Sequence, residues 1–282
     1  MKLDIIEVKK ENGKKKFAIT LLIIILIFVL IFILVKNSKN NNKNTNEYVE
    51  EENIIENNIQ ENKTNTSQKL VENISNIYNI GEKNVYLTFD DGPSKTVTPL
   101  ILDLLKEKNV KATFFVLGSR AELYPELVKR AYDEGHYIAN HGYSHIYDNL
   151  YASSETIISE FETTENLIRQ AIQDENYESH LIRFPGGSKG NQYSDIISQT
   201  IPILKERNIA YLDWNALTGE SSGKKTKEAM WENFIWTTEN KNNIVLLMHD
   251  AGDKILVYEL LPQIIEYFTN NGYTFKTIYD LF

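Results

Sequence analysis

The chain has no cysteine among its 282 residues. Disulfides are excluded, and so are thiolate metal ligands, so any bound metal must be held by histidine and carboxylate. Positive charge is short as well. Lys and Arg number 30 against 39 Asp and Glu, a formal net charge of −9, and no basic block stands out in the C-terminal body. That balance excludes a nucleic-acid surface. No internal repeat is found, which leaves out solenoids and propellers. Only five histidines are present, so two of them falling close together carries information.

What the chain does have near its start is one long apolar run. Phe17–Val35 carries no charge and is built almost wholly of Ile, Leu, Phe and Val. As a helix it spans roughly 28 Å, close to the ~30 Å hydrocarbon core of a bilayer. A cleaved signal peptide has a shorter apolar region, about 7–15 residues, ending in a small-residue site. The sequel here, Lys36-Asn37-Ser38-Lys39, offers none. Lys9, Lys10, Lys14, Lys15 and Lys16 crowd the N-terminal flank, against Lys36, Lys39 and Lys43 beyond the run. The positive-inside rule then predicts a cytoplasmic segment 1–16, a single-pass membrane anchor 17–35 and an exported body. Residues 36–80 are rich in Asn, Glu, Lys and Thr. They read as a disordered spacer, in which a short helix around 68–77 is compatible with the pattern.

Residues 81–282 alternate in type. Strands are predicted at 85–89, 112–117, 137–139, 181–184, 209–213 and 244–248. Helices are predicted at 98–108, 124–134, 154–173, 194–207, 227–239 and 255–271. Such alternation implies α/β architecture around a parallel sheet, either a barrel or a doubly wound sheet. Both place an active site at the C-terminal ends of the strands.

The polar residues that stand out all fall at such ends. Thr88-Phe89-Asp90-Asp91-Gly92 sets adjacent carboxylates where Gly92 and Pro93 turn the chain. Successive strand residues point to opposite faces, so both carboxylates reach one pocket only if the chain leaves strand geometry there. Two like charges that close call for a cation. His141 and His145, in His141-Gly142-Tyr143-Ser144-His145, have the spacing to reach one ion together. Gly142 occupies the place of the zinc-protease glutamate, so a base must come from elsewhere. Arg183 ends a strand before a tight turn, where it can pair with Asp90 and orient it. His249 ends another. His136 and His180 read as ordinary structural residues.

Taken together these motifs resemble the NodB-homology polysaccharide deacetylases, carbohydrate esterase family 4, and most of all those that act on peptidoglycan N-acetylglucosamine. Thr88–Gly92 is similar to the family's TFDDG, His141–His145 to H-[ST]-x-x-H, Arg183–Gly187 to RPPYG, and Leu247–His249 to L-x-H. Gly142 departs from Ser or Thr, which removes a side-chain hydrogen bond from the metal loop. Phe184 and Gly186 replace a Pro and a Tyr, so the Tyr ring's contribution to the substrate groove is lost. The W-x-V-D-x-x-D-W motif is the weakest match. Aligned on Trp214, it puts Glu220 in the place of the Asp that orients the catalytic His, with Asp213 the other candidate.

The resemblance implies a distorted (β/α)7 barrel and a metal-dependent hydrolase acting on N-acetylated glycans. Asp91, His141 and His145 would hold a divalent ion, zinc first, with cobalt, nickel or iron also accepted by such ligands. Asp90 would be the base, the Gly186 N–H an oxyanion donor, His249 the acid, and Trp214 and Leu247 part of the substrate wall. The expected partners are peptidoglycan and, through Phe17–Val35, the membrane. The alternatives are an O-acetyl esterase of the xylan type, a membrane-tethered glycan-binding module without activity, and, for the bare metal triad, an iron oxygenase that leaves Asp90 and His249 without a task.

Overall fold

The structure, a computed structural model, describes residues 67–79 and 81–282. The run Phe17–Val35, its lysine flanks and most of the spacer lie outside the described residues. Among those described, no helix is long and apolar enough to cross a membrane.

Strand β1 (Asn84–Asp90) is buried along its whole length. Its unbroken apolar run follows from this, because a strand covered on both faces does not alternate. To one side lie β2 (Thr113–Val116), β3 (Tyr137–Asn140), β4 (Leu181–Ile182) and β5 (Ala210–Tyr211). To the other lie β7 (Asn243–His249) and then β6 (Ala216–Leu217), while β8 (Thr274–Lys276) pairs the start of β1. Every ladder is parallel. The path ends at β5 and β6, with no pairing between those edges among the described residues. The sheet is a curled parallel half-barrel, in keeping with the expected (β/α)7 type.

Helices precede and connect the strands. They are α1 (67–76), α2 (Thr98–Lys108), α3 (Gly118–Leu123), α4 (Pro125–Asp133), α5 (Tyr147–Leu150), α6 (Ser154–Ile172), α7 (Ser194–Glu206), α8 (Lys227–Thr238) and α9 (Ile255–Asn270). The sequence pattern had no signal for α3, α5, β6 or β8. Outward residues of the strands, such as Leu87, Phe114, Ile138 and Leu246, join the helices in the largest apolar cluster. Inward residues, including Tyr86, Phe115, Tyr137, Ala139 and Val245, fill the interior. Side chains repeat on one face every second residue. The inward series Tyr86, Thr88, Asp90; Tyr137, Ala139, His141; Leu181, Arg183; and Val245, Leu247, His249 therefore end on polar residues at one rim.

The expected spacer is corrected at its C-terminal end. Leu70, Ile74 and Ile77 are 0 %, 5 % and 0 % exposed and belong to the interior cluster. Asn73 Nδ2 donates to Leu281 O at 2.6 Å. The catalytic body therefore begins by residue 67, not at 81. Each such buried aliphatic side chain is worth roughly 1.5–3 kcal/mol. A chain starting at residue 81 should melt roughly 10 °C or more below the full chain. Equal melting temperatures would show that the helix contributes nothing.

Candidate active site

Asp90 is the last residue of β1, in register with Phe115 and His249. Asp91 departs from strand geometry at φ 72, a left-handed conformation that is uncommon and strained for a residue with a side chain. The two carboxylates reach one site by that departure. The turn is seated on Asp250, because a Cβ on Gly92 would lie 2.1 Å from Asp250 Oδ2. Thr98 Oγ1 donates to Asp250 Oδ2 at 2.5 Å, and Asp250 N donates to Asp90 O at 3.1 Å. Burial, opposed by the Thr98 hydrogen bond and reinforced by Asp91 and Asp90, pushes the Asp250 carboxyl up to about 7. Sequence reasoning passed over Asp250, although it directly follows His249.

Asp91, His141 and His145 converge as expected, with one ligand atom from each lying within 4.8 Å of the others. Asp91 Oδ1 stands 3.4 Å from His141 Nε2 and 3.3 Å from His145 Nε2. Ligands about 2.0–2.1 Å from a tetrahedral ion stand roughly 3.3 Å apart. Asp91 Oδ1 is also buried and accepts no hydrogen bond, a cost that a cation removes. His141 Nδ1 lies 2.7 Å from Arg183 O. A carbonyl only accepts, so Nδ1 carries the hydrogen and Nε2 is the ligand atom. Burial works to raise the Asp91 carboxyl, but the His141, His249 and His145 rings outweigh it and hold it below the usual carboxylate range. Burial lowers the His145 imidazole against the opposing pull of Asp91. One carboxylate oxygen and two imidazole nitrogens suit a divalent ion of the zinc type.

The loop carrying these ligands is held by a residue that sequence reasoning missed. Glu160 on α6 accepts from Tyr143 N at 2.9 Å, Ser144 N at 3.1 Å and Ser144 Oγ at 2.6 Å. Gly142, at φ 76, lets the chain pass over it, and a Cβ there would lie 3.2 Å from Glu160 Oε2. The loop is thus held from α6, with no side chain at 142. No local signal marks Glu160, since a glutamate on an amphipathic helix looks like any solvated one.

Arg183 is fully buried and lies 4.0 Å over the Phe115 ring. Its Nη1 donates to Asp90 Oδ1 at 2.8 Å and Thr88 Oγ1 at 2.7 Å, its Nε to Leu212 O at 2.9 Å. Asp90 thereby has its carboxylate fixed beside the Asp91–His141–His145 cluster, with Oδ2 3.8 Å from His141 Nε2. On the adjoining strand, His249 Nδ1 lies 2.8 Å from Glu220 Oε1. Glu220, itself bonded by Thr218 Oγ1, is the residue set against His249. The other candidate, Asp213, is not. Its carboxylate accepts from Ser188 N at 3.0 Å and Ser188 Oγ at 2.5 Å, and its backbone O accepts from Arg183 Nη2 at 3.2 Å. Glu220, with Asp90 and Asp91, outweighs burial and raises His249 to about 9. Gly186, Trp214 and Leu247 line the same cleft of about 290 Å³ as Asp90, Asp91 and the three histidines. Among the described residues no acceptor takes the Gly186 N–H.

The remaining histidines keep structural places. His136 is buried, accepts from Ala112 N at 3.1 Å, and is lowered to about 4 by burial. His180 Nε2 pairs with Glu178 at 3.3 Å.

A family model described as polysaccharide deacetylase matches residues 78–209. A peptidoglycan-N-acetylglucosamine deacetylase of Bacillus cereus is 33 % identical over 222 residues, which is 76 % of this chain and 73 % of that protein. The chain belongs to the polysaccharide deacetylase family. As a polysaccharide deacetylase it is a hydrolase of amide bonds. Among solved structures, a Streptococcus mutans CE4 esterase matches this deacetylase with TM-score 0.66 at 31 % identity, covering 73 % of this chain and 90 % of the other. The catalytic domain of a peptidoglycan N-acetylglucosamine deacetylase from Eubacterium rectale gives 0.63 at 33 % identity, covering 70 % and 89 %.

Proposed function

We propose that this deacetylase hydrolyses the acetamido group of N-acetylglucosamine in peptidoglycan, with a divalent ion, zinc first, held by Asp91, His141 and His145. The observation that carries the reading is the pairing in one cleft of a carboxylate outside the ligand set, Asp90, with a histidine raised to about 9, His249. Amide hydrolysis needs both a base for water and an acid for the departing nitrogen. When bound, the ion supplies Lewis-acid polarisation of the acetyl carbonyl and a more acidic water. Asp90, fixed by Arg183, takes the water's proton as its oxygen bonds to the carbonyl carbon. The Gly186 N–H donates to the developing oxyanion, a contact of a kind worth about 2.7–4 kcal/mol. His249, held through Nδ1 by Glu220, gives the proton from Nε2 to the sugar nitrogen as the C–N bond breaks. Acetate leaves, and the amine stays on the glycan.

The location belongs to the same proposal. Phe17–Val35 anchors the chain in the cell membrane, and the spacer gives the exported body a reach on the order of tens of ångströms. Support comes from the lysine asymmetry around the run and from relatives named as peptidoglycan deacetylases. The Streptococcus mutans relative is named an esterase, which favours O-acetyl esters as the second reading.

The test is acetate release by the full chain from purified peptidoglycan and from O-acetylated xylan oligosaccharides, with zinc, cobalt, nickel or iron supplied. Acetate from peptidoglycan that disappears on chelation and returns with metal is expected. Release from the ester alone selects the second reading, and no acetate with any of these ions removes both.

A further inference from the structure

Gly186 and Gly187 form the floor between two aromatic side chains. Both have left-handed backbones, with φ 79 and φ 83. A Cβ on Gly187 would lie 3.1 Å from Trp214 Cη2, and one on Gly186 would lie 3.2 Å from Tyr147 Oη and 3.3 Å from Tyr147 Cε1. The space where a side chain at 186 would begin is therefore held by a ring from another part of the chain. Tyr147 opens α5, two residues after the ligand His145, and it lines the cleft with Asp90, Asp91 and His249.

The ring is fixed yet partly bare. It stacks on Tyr193 with centroids 5.8 Å apart and planes at 8°, and on Tyr151 at 6.0 Å and 19°. The His145 ring lies 5.3 Å away. Tyr193 is itself tied by its hydroxyl to Asp148 at 2.6 Å. With three rings against it, Tyr147 still keeps 37 % of its surface exposed. An exposed aromatic ring locked by its neighbours loses little freedom on binding, and it offers an apolar face with a polar tip. A pyranose ring has the matching character, with apolar C–H groups on its faces and hydroxyls at its edge.

We infer that Tyr147 is the substrate-contacting wall of this cleft, stacking on the pyranose ring that bears the acetyl group and made possible by the missing side chain at Gly186. This rests on the glycan-deacetylase reading and adds to it a residue that sets affinity for the sugar rather than the chemistry of the acetyl group. Trp214 lines the same cleft, beside Gly187. Nothing in the mechanism above requires Tyr147, so its replacement should separate binding from turnover.

The experiment uses the full chain and chitotetraose as a defined N-acetylglucosamine oligomer. In an Asp90→Asn background, zinc-loaded, Tyr147→Ala should weaken oligomer binding about tenfold or more by calorimetry, while Tyr147→Phe stays within about threefold. With Asp90 restored, the alanine change should raise KM by a similar factor and lower kcat far less. Zinc content, by elemental analysis, should match the parent. An unchanged dissociation constant overturns the inference. So does loss of zinc in Tyr147→Ala, which would make the ring a support for His145 instead. If the parent binds the oligomer but releases no acetate, the deacetylase reading fails, and the Tyr147 assignment is still decided by the binding comparison.

Discussion

Asp90→Asn in the full chain will keep its metal and lose about 10²–10⁴-fold in acetate release, the usual contribution of a positioned general base. Asparagine has the same shape as aspartate, and its amide oxygen can still accept from Arg183 Nη1, which now donates to Asp90 Oδ1 at 2.8 Å. The neighbouring Thr88 Oγ1 keeps its own bonds to Arg183 and to Leu246 O. What disappears is the negative charge and the capacity to take a proton. Asp90 lies outside the proposed ligand set of Asp91, His141 and His145, so elemental analysis should find the same metal content. His145→Ala makes the contrast. It removes one of three ligand atoms, and both metal and turnover should fall together. Turnover of Asp90→Asn within tenfold of the parent would sink the assignment of Asp90 as base. Loss of its metal would instead place Asp90 among the ligands. Arg183 is buried and made to face that charge, so the variant should also melt a few degrees lower, since a buried cation left without its counter-charge is destabilising.

The strand ends were legible in the sequence because the chemistry there uses rare residue types at positions that long apolar runs define. β1 and β7 are each seven residues long and buried over most of their length, so Asp90 and His249 could be placed at their exits without a structure. Histidine is scarce in this chain, which made His141 and His145 stand out. Two of the short strands were not legible, although β4 and β5, also brief, lie within predicted apolar runs. Ala216–Leu217 and Thr274–Lys276 are too brief for any alternation to register, and their pairing is fixed by the neighbours they meet. The helix over 67–76 was compatible with the sequence pattern, but its packing into the body was hidden by averaging. Leu70, Ile74 and Ile77 have the i, i+4, i+7 spacing of one helical face, but they sit among Asn, Glu and Ser residues whose composition reads as unstructured. Glu160 is remote from the loop it holds, and only the fold brings it there; Tyr147 and Asp250 adjoin His145 and His249 in sequence, but their contacts with Gly186 and Gly92 exist only in the fold. The choice between Glu220 and Asp213 was of the same kind. The sequence offers two acids near Trp214, and the backbone decides that one meets His249 while the other holds Ser188.

That decision has a measurable consequence in the pH profile. With His249 as the proposed proton donor, the reaction needs its protonated form and should slow as pH rises through its pKa. Burial lowers that imidazole, and the Glu220 hydrogen bond and charge reverse the shift and carry it up to about 9, with Asp90 and Asp91 adding to the rise. A bound cation offsets Asp90 and Asp91 in the parent and in a Glu220 variant alike, so comparing the two isolates Glu220. Glu220→Gln keeps an acceptor for Nδ1 but removes the charge. Burial then dominates, the protonated form is lost at lower pH, and the alkaline limb of kcat/KM should move toward acid by about one unit or more, since one unit corresponds to only 1.36 kcal/mol. At pH 8 a one-unit shift costs the variant only about twofold, and the gap approaches about tenfold by pH 10, above both pKa values, while nearer pH 6 it closes because His249 is protonated in both. Asp213→Asn supplies the control. Its carboxylate is engaged with Ser188 and not with His249, so the alkaline limb should stay in place whatever happens to the rate. A limb that shifts with Asp213→Asn and stands still with Glu220→Gln would reverse the pairing and leave His249 without the partner that makes it an acid at neutral pH.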